Sequence, residues 1–114
     1  MRPRNFSTRY YSDKQEKQVA KAVGGKQTAN SGATKWQKGD VLVADTWLLE
    51  CKTKTKASDT FTIRKEWIDK NREEAFQMGK RHSAVVIQFE PDGENFYLID
   101  QASFKRLLEQ EKEN

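Results

Sequence analysis

The chain has 114 residues and a mass of 13.3 kDa, which suits one small domain and leaves little for a second. Only 35% of the residues are hydrophobic and 33% are charged, so a monomer would bury little apolar surface and we expect a homodimer. A single cysteine, Cys51, excludes an intrachain disulfide and a cysteine-based zinc site. No run of about 18 apolar residues is present, and the N-terminus lacks the apolar core of a signal peptide, so we expect a soluble, cytoplasmic protein.

The net charge of +4 is unevenly distributed along the chain. Residues 1–56 carry 12 lysines and arginines against 5 acidic residues, whereas residues 57–114 carry 9 against 12, so the two parts have charges of +7 and −3. A basic half that surrounds a few carboxylates suits a protein that attracts a phosphate backbone and holds a metal ion beside it. The alternative is ordinary surface charge.

The first third of the chain is predicted to contain a single helix. Residues 1–9 are basic and aperiodic and predict a flexible N-terminal arm, which can lie along a phosphate backbone or simply be disordered. Ser12 is a candidate cap for a helix over residues 13–23, and a Gly-Gly pair ends it. Residues 26–38 are polar and predict a long loop.

The rest of the chain alternates between apolar runs typical of strands and of helices. In chain order the patterns predict a hairpin of strands over residues 41–44 and 47–51, a strand over 60–63, a helix over 64–79, a hairpin over 83–89 and 95–99 with its turn at Asp92 and Gly93, and a helix over 101–112. The order α-β-β-β-α-β-β-α predicts an α/β fold with a central mixed sheet flanked by helices, formed by one domain over residues 10–114.

The first hairpin carries a group of charges that suits metal chemistry. Glu50 and Lys52 are two residues apart on a strand and therefore share a face, while Cys51 points to the opposite one. Asp40 joins them if the hairpin returns the chain. Two carboxylates and the backbone carbonyl of Cys51 can bind Mg²⁺ and leave positions open for a phosphate oxygen and a water, which Lys52 can orient. The alternative is an ordinary surface pair of Glu50 and Lys52, but Glu50 follows an apolar run and an unpaired buried charge is costly.

Lysines border this predicted site on both sides. They are interpreted as phosphate contacts, with a solvated surface as the alternative. The residues concerned are Lys26, Lys35, Lys38, Lys54 and Lys56. Among the aromatic residues, Trp36 can stack on an exposed base or pack under its loop, whereas Trp67 and Phe76 are interpreted as core or dimer-interface residues.

Four elements in this order resemble a known enzyme family. They are Glu16 on the first helix, Ser31 in a Ser-Gly-Ala loop, a Gly-Asp-Val element around Asp40, and the Glu-Cys-Lys triplet of Glu50 and Lys52. Together they resemble the PD-(D/E)XK nuclease superfamily, and most closely the Holliday junction resolvases of archaea and phages. The resemblance covers roughly residues 13–100. The proline of the superfamily's name is absent here, since Gly39 precedes Asp40.

The resemblance implies a restriction-endonuclease-like core and a homodimer that cuts opposed strands of branched DNA with Mg²⁺ or Mn²⁺ in recombination and repair, in the host cytoplasm if the protein is phage-encoded. It places Glu16, Asp40, Glu50 and Lys52 in the metal and catalytic centre, with Glu16, Asp40 and Glu50 as metal ligands, and makes Ser31 an assisting catalytic residue. Helices after the active site often contribute a further polar residue in this family, and Gln77 is the candidate here. Apart from this resemblance, Glu16 suits the N-terminal end of a helix and Ser31 suits a turn. The competing functions are another nuclease of the same fold that acts on flaps, ends or duplex DNA, a non-catalytic DNA-binding module, and a basic protein-interaction domain.

Overall fold

The computed structural model describes residues 7–28 and 40–113, with the backbone alone for Asp40. These residues form three helices and five strands. In chain order they are α1 (Thr8–Val23), β1 (Lys26–Gln27), β2 (Asp40–Val43), β3 (Trp47–Thr53), α2 (Lys65–Gln77), β4 (His82–Gln88), β5 (Asn95–Leu98) and α3 (Gln101–Glu113). None of the helices within these ranges is long and apolar enough to cross a membrane.

The five strands form one mixed sheet in the order β1-β2-β3-β4-β5. The pairs β1–β2, β2–β3 and β4–β5 are antiparallel, and β3–β4 is parallel. A parallel pair cannot be joined by a tight turn, and α2 makes the crossover that it needs. The predicted α/β class with a central mixed sheet and flanking helices is therefore confirmed.

Side chains of successive strand residues alternate between two faces of this sheet. On the face covered by α1, here called the α1 face, Val19 of the helix packs in one apolar cluster with sheet residues of β2, β3 and β4. Those sheet residues are Val41, Leu49, Cys51, Ala84 and Val86. The opposite face, here called the α2 face, carries Leu48, Glu50 and Lys52, and α2 lies against it. The prediction that Cys51 packs into the interior is confirmed, since its side chain is buried.

The first helix is longer than its sequence pattern predicts. Ser7 has an extended backbone, and its hydroxyl accepts a hydrogen bond from the backbone N–H of Tyr10, so α1 begins at Thr8 and not after Ser12. Two residues of the predicted N-terminal arm are thus helical and Ser7 caps them, while residues 1–6 lie outside the described residues. The predicted end is confirmed, because Gly24 has a φ of 70° and its N–H donates to the carbonyl of Ala20.

The predicted strand over residues 60–63 is wrong. Its side chains do alternate between half-buried and exposed, but Thr60 donates its N–H to the hydroxyl of Ser58, and the Phe61 ring packs edge-on against Trp67 and Phe89. A third strand of this part of the sheet comes instead from Lys26–Gln27, inside the predicted loop. The order of helices and strands is therefore the predicted one, although one strand comes from another segment.

The elements after residue 64 agree with prediction to within two residues at each end. Asp92 has a φ of 65° in the turn between β4 and β5, where the sequence predicts a turn. The carboxylate of Asp92 accepts hydrogen bonds from Lys14 at 2.9 Å and from Gln18 at 2.7 Å. These contacts attach the hairpin to α1.

Candidate active site

The hairpin of β2 and β3 places Asp40 opposite Glu50. In the antiparallel register of the two strands, Asp40 pairs with Glu50 and Val41 pairs with Leu49. Directly opposed residues of an antiparallel pair lie on the same face of a sheet. The sequence prediction that the hairpin returns the chain to bring these two positions together is thus correct for the backbone.

Glu50 and Lys52 meet on the α2 face, as their spacing predicts. Oε2 of Glu50 lies 3.3 Å from Nζ of Lys52, and 12% of the Glu50 side chain is exposed against 32% for Lys52. The Lys52 ammonium also lies 4.6 Å from the centre of the Trp67 ring, within the range of a cation–π interaction. Lys52 is therefore held between a carboxylate and an aromatic ring while one third of it remains accessible.

A second carboxylate approaches Glu50 from α2. Glu74 is half-buried, and its Oε1 atom is buried with no hydrogen-bond partner among the described residues. Burial raises the pKa of the Glu74 carboxyl, and the negative charge of Glu50 raises it further. Two partly buried carboxylates that repel one another are the donor set that a divalent cation stabilises.

Glu74 and the contact of Trp67 with Lys52 were not predicted from the sequence. The signal that could have found them is helical spacing, because Trp67, Asn71 and Glu74 recur every three or four residues and so share one side of α2. That side faces the sheet, since the Asn71 amide donates to the backbone carbonyl of Ala84 at 3.0 Å. A charged residue on the buried side of a helix needs a partner.

Glu16 lies on α1, across the sheet from Glu50. It is 5% exposed, and its Oε1 atom accepts a hydrogen bond of 3.0 Å from Nε2 of Gln27. The same Gln27 amide donates to Asp13 at 3.0 Å. Gln27 pairs with Val41, the residue next to Asp40, so Glu16 is near the end of the hairpin where Asp40 lies, although it approaches from the α1 face.

The structure separates the predicted phosphate contacts into two groups. Lys26 is exposed and pairs with Leu42, which pairs with Leu48, so it lies on the same face as Glu50. Lys54 follows β3 with its ammonium 5.4 Å from the Phe61 ring centre, and Lys56 is exposed two residues later. The other residues predicted for the site or its border, Ser31, Lys35, Trp36 and Lys38, lie outside the described residues.

Among the side chains of residues 7–28 and 41–113, no group of three or more histidine, cysteine or acidic residues is arranged to hold a metal ion. The side chains that could contribute to a cation site on the α2 face are those of Glu50 and Glu74, together with the position of Asp40. Of these groups, Glu74 has a buried Oε1 atom with no hydrogen-bond partner among the described residues.

From the α1 face, Gln15 supports the end of β3 that carries Lys52. Gln15 is 1% exposed, and its Nε2 lies 3.1 Å from the carbonyl oxygen of Lys52 and 3.3 Å from that of Val86. It also lies 3.1 Å from Oδ1 of Asn95. The backbone of the candidate site is thereby attached to α1. The sequence signal was a glutamine four residues before Val19, within the buried stripe of the helix.

Comparison with known proteins identifies neither a family nor a function for the chain. No family model, curated protein or solved structure matches the chain. The function is therefore inferred from the surroundings of Glu50 and from the order of the four sequence elements.

Proposed function

We propose that the protein is a metal-dependent, structure-selective DNA endonuclease that resolves four-way junctions by paired phosphodiester hydrolysis. The observation that carries this proposal is the Glu50–Lys52 pair, 12% and 32% exposed, in register with Asp40 at one end of the hairpin. A largely buried carboxylate beside an accessible lysine and a second acidic position can supply the metal ligands and the positive charge that phosphoryl hydrolysis uses.

Asp40 and Glu50 would hold the metal ion, with the backbone carbonyl of Cys51 as a further oxygen ligand and the Glu74 carboxylate beside them. When bound, Mg²⁺ or Mn²⁺ lowers the pKa of a water and offsets negative charge on the phosphate. Glu16 would reach the same end of the hairpin from the α1 face, as the resemblance implies, and its contact with Gln27 beside β2 supports this placement.

Lys52 would orient the attacking water and stabilise the charge that develops on the phosphate. The water oxygen would lose a proton to solvent and form the new bond to phosphorus, while the bond to the 3′ oxygen breaks and that oxygen takes up a proton from solvent, which leaves a 5′ phosphate as the resemblance implies. The Trp67 ring restricts the ammonium to one region without neutralising its charge, because a cation–π contact removes no proton. A positioned ammonium costs less reorganisation in the transition state than a mobile one.

DNA would approach the α2 face along its lysines. Lys26 shares that face with Glu50, and Lys54 and Lys56 extend from the end of β3 that carries Lys52. The net charge of +7 in residues 1–56 favours a polyanion over other substrates. Two symmetry-related sites in a homodimer would let one complex cut two opposed strands.

One observation favours a non-catalytic alternative. The Glu50 carboxylate already has a cationic partner in Lys52 at 3.3 Å, which is also how a purely structural ion pair would look. A DNA-binding module built in this way would bind junctions without any requirement for Mg²⁺. A nuclease for flaps or ends would instead cut those substrates in preference to junctions.

The test is cleavage of a synthetic mobile four-way junction, a flap and a plain duplex, each with Mg²⁺ and with a chelator. We expect paired nicks near the branch point of the junction only with Mg²⁺. Asp40→Ala and Glu50→Ala should each lower the rate by at least about 100-fold, while the junction is still bound. Asp45→Asn is the matched control, because Asp45 is exposed in the turn of the same hairpin. Parent-like rates for both alanine variants would exclude the proposed centre.

A further inference from the structure

The third helix exposes an apolar stripe. Of its 13 residues only Ser103 is buried, whereas Phe104 is 53% exposed, Leu107 44% and Leu108 40%. Leu107 and Leu108 follow Phe104 by three and four positions, so the three side chains lie along one side of the helix. A helix that exposes its apolar side to water loses most of the stabilisation that burial would supply.

An apolar hollow adjoins this stripe on the α1 face. It has a volume of about 290 Å³ and lies between the end of α1 and the sheet, and its walls include Val23, Trp47, Tyr97 and Leu107. Tyr97 belongs to β5, which has no further strand beside it among the described residues, and is 42% exposed. Because Leu107 lines both the hollow and the stripe, the two form one continuous apolar surface, here called the α3 surface.

The charges on α3 are arranged so that the helix is complementary to a second copy of itself. Lys105 and Arg106 precede the two leucines, and Glu109, Glu111 and Glu113 follow them, with Lys112 as the exception. When two such helices pack antiparallel about Leu107 and Leu108, the basic half of each lies opposite the acidic half of the other. No ion pair found within the described residues involves a charge of α3, so these groups are available to a partner.

We propose that the α3 surface is where two copies of this chain associate, with their α3 helices antiparallel across a twofold axis. Leu107 and Leu108 of each copy pack against those of the other, and Lys105 of one copy lies opposite Glu109 of the second. The inference rests on the homodimer of the proposed function and is independent of catalysis. Each contact occurs twice in an interface of this symmetry.

A second copy fits this surface better than an unrelated partner does. Its pattern of basic half, apolar centre and acidic half is self-complementary only in the antiparallel arrangement, which is the arrangement that a twofold axis produces. The hollow beside Leu107 offers space for a large side chain, and Phe104 is the large exposed apolar residue of the stripe. Insertion of Phe104 from the second copy would fill it.

The experiment measures association of the full chain by sedimentation velocity over a wide range of concentrations. We expect a dimer for the parent protein, and Leu107→Lys should weaken the dimer Kd by at least about 100-fold. Phe76→Lys is the matched control, because Phe76 is 80% exposed on α2, away from the α3 surface. Circular dichroism spectra and melting temperatures establish that the variants are folded.

A charge exchange tests the orientation without touching any buried group. Lys105→Glu and Glu109→Lys should each weaken the Kd by about fivefold, because each creates two like-charge contacts. The double variant, K105E with E109K, should restore parent affinity. Two results would overturn the inference: a monomer at every concentration, or a dimer that tolerates L107K, whether or not F76K disrupts it. A double variant weaker than both single ones would overturn the antiparallel arrangement.

Discussion

Oε2 of Glu50 lies 3.3 Å from Nζ of Lys52, across one side of a strand whose intervening residue, Cys51, is buried on the other side. The pair is stabilised by the sheet that carries it, since the backbone fixes both side chains on one face. Trp67 and Glu74 of α2 complete its surroundings. These four side chains give the proposed nuclease centre its specific tests.

The ionised carboxylate of Glu74 should destabilise the folded protein when no metal ion is bound. Its folded-state pKa is raised, so the charged form is disfavoured in the folded protein. The neutral Glu74 carboxyl therefore contributes stability that is present below the unfolded-state pKa. This contribution is lost as pH rises through the folded-state pKa. Glu74→Gln should therefore raise the melting temperature at pH 7 and leave it unchanged near pH 4. Thermal melts across this range measure the effect.

The same variant tests whether the cation site exists. Mg²⁺ or Mn²⁺ should raise the melting temperature of the parent protein, and Glu74→Gln should reduce that increase, because one of the repelling carboxylates is gone. Glu73→Gln is the control, since Glu73 is exposed on α2 and accepts a hydrogen bond from Gln77. An equal metal response in both variants would remove Glu74 from the site.

Variants of Glu16 and Asp13 distinguish a metal-binding role of Glu16 from a purely structural one. Both accept a 3.0 Å hydrogen bond from the Gln27 amide, so replacing either carboxylate weakens the same contact. If Glu16 belongs to the metal centre, Glu16→Gln should lower junction cleavage by at least about tenfold, and Asp13→Asn should leave it near the parent rate. Single-turnover kinetics decide between them. Similar rates for the two variants would assign Glu16 to holding β1 against α1.

Trp67 should act through the position of Lys52. Trp67→Leu removes the ring beneath the ammonium, and we expect a loss of about tenfold in the cleavage rate constant without a change in junction Kd. Trp67→Phe keeps an aromatic face and should recover most of the rate. The Kd is measured by fluorescence anisotropy with Ca²⁺ in place of Mg²⁺. A loss of binding that matches the loss of rate would point to a contact with DNA instead.

His82 should make stability depend on pH. Its ring lies 4.7 Å from that of Trp47, and burial lowers its pKa, as do the positive charges of Arg106 and Arg81. Because the folded-state pKa of His82 is lowered, its neutral imidazole contributes stability that is present above the unfolded-state pKa of about 6.5. This contribution is lost as pH falls through the folded-state pKa. His82→Phe keeps the ring contact and should abolish this loss. Urea denaturation of the parent and the variant between pH 5 and 8 measures the free energy of unfolding. If this free energy falls with pH in His82→Phe as steeply as in the parent, the assignment is contradicted.

Local patterns predicted most helices and strands because the signals are contained in the elements themselves. The apolar runs of β3 and β4 and the turn at Asp92 are examples. The strand predicted over residues 60–63 failed because alternation does not supply a neighbouring strand, and both sides of β3 are already paired, with β2 and β4. The two-residue β1 was missed because its pairing with β2, and not its composition, makes it a strand.

The candidate site was likewise predicted in part from the sequence and decided in part by the tertiary structure. The spacing of Glu50 and Lys52 determines that they share a face, and the hairpin pattern determines that Asp40 returns beside Glu50, because strand geometry has a period of two residues. Only the tertiary structure decided that α2 carries Trp67 and Glu74 to that face and that α1 carries Glu16 to the other. It also left the apolar side of α3 uncovered. These outcomes depend on how helices far apart in sequence pack on the sheet, and no local period contains that information.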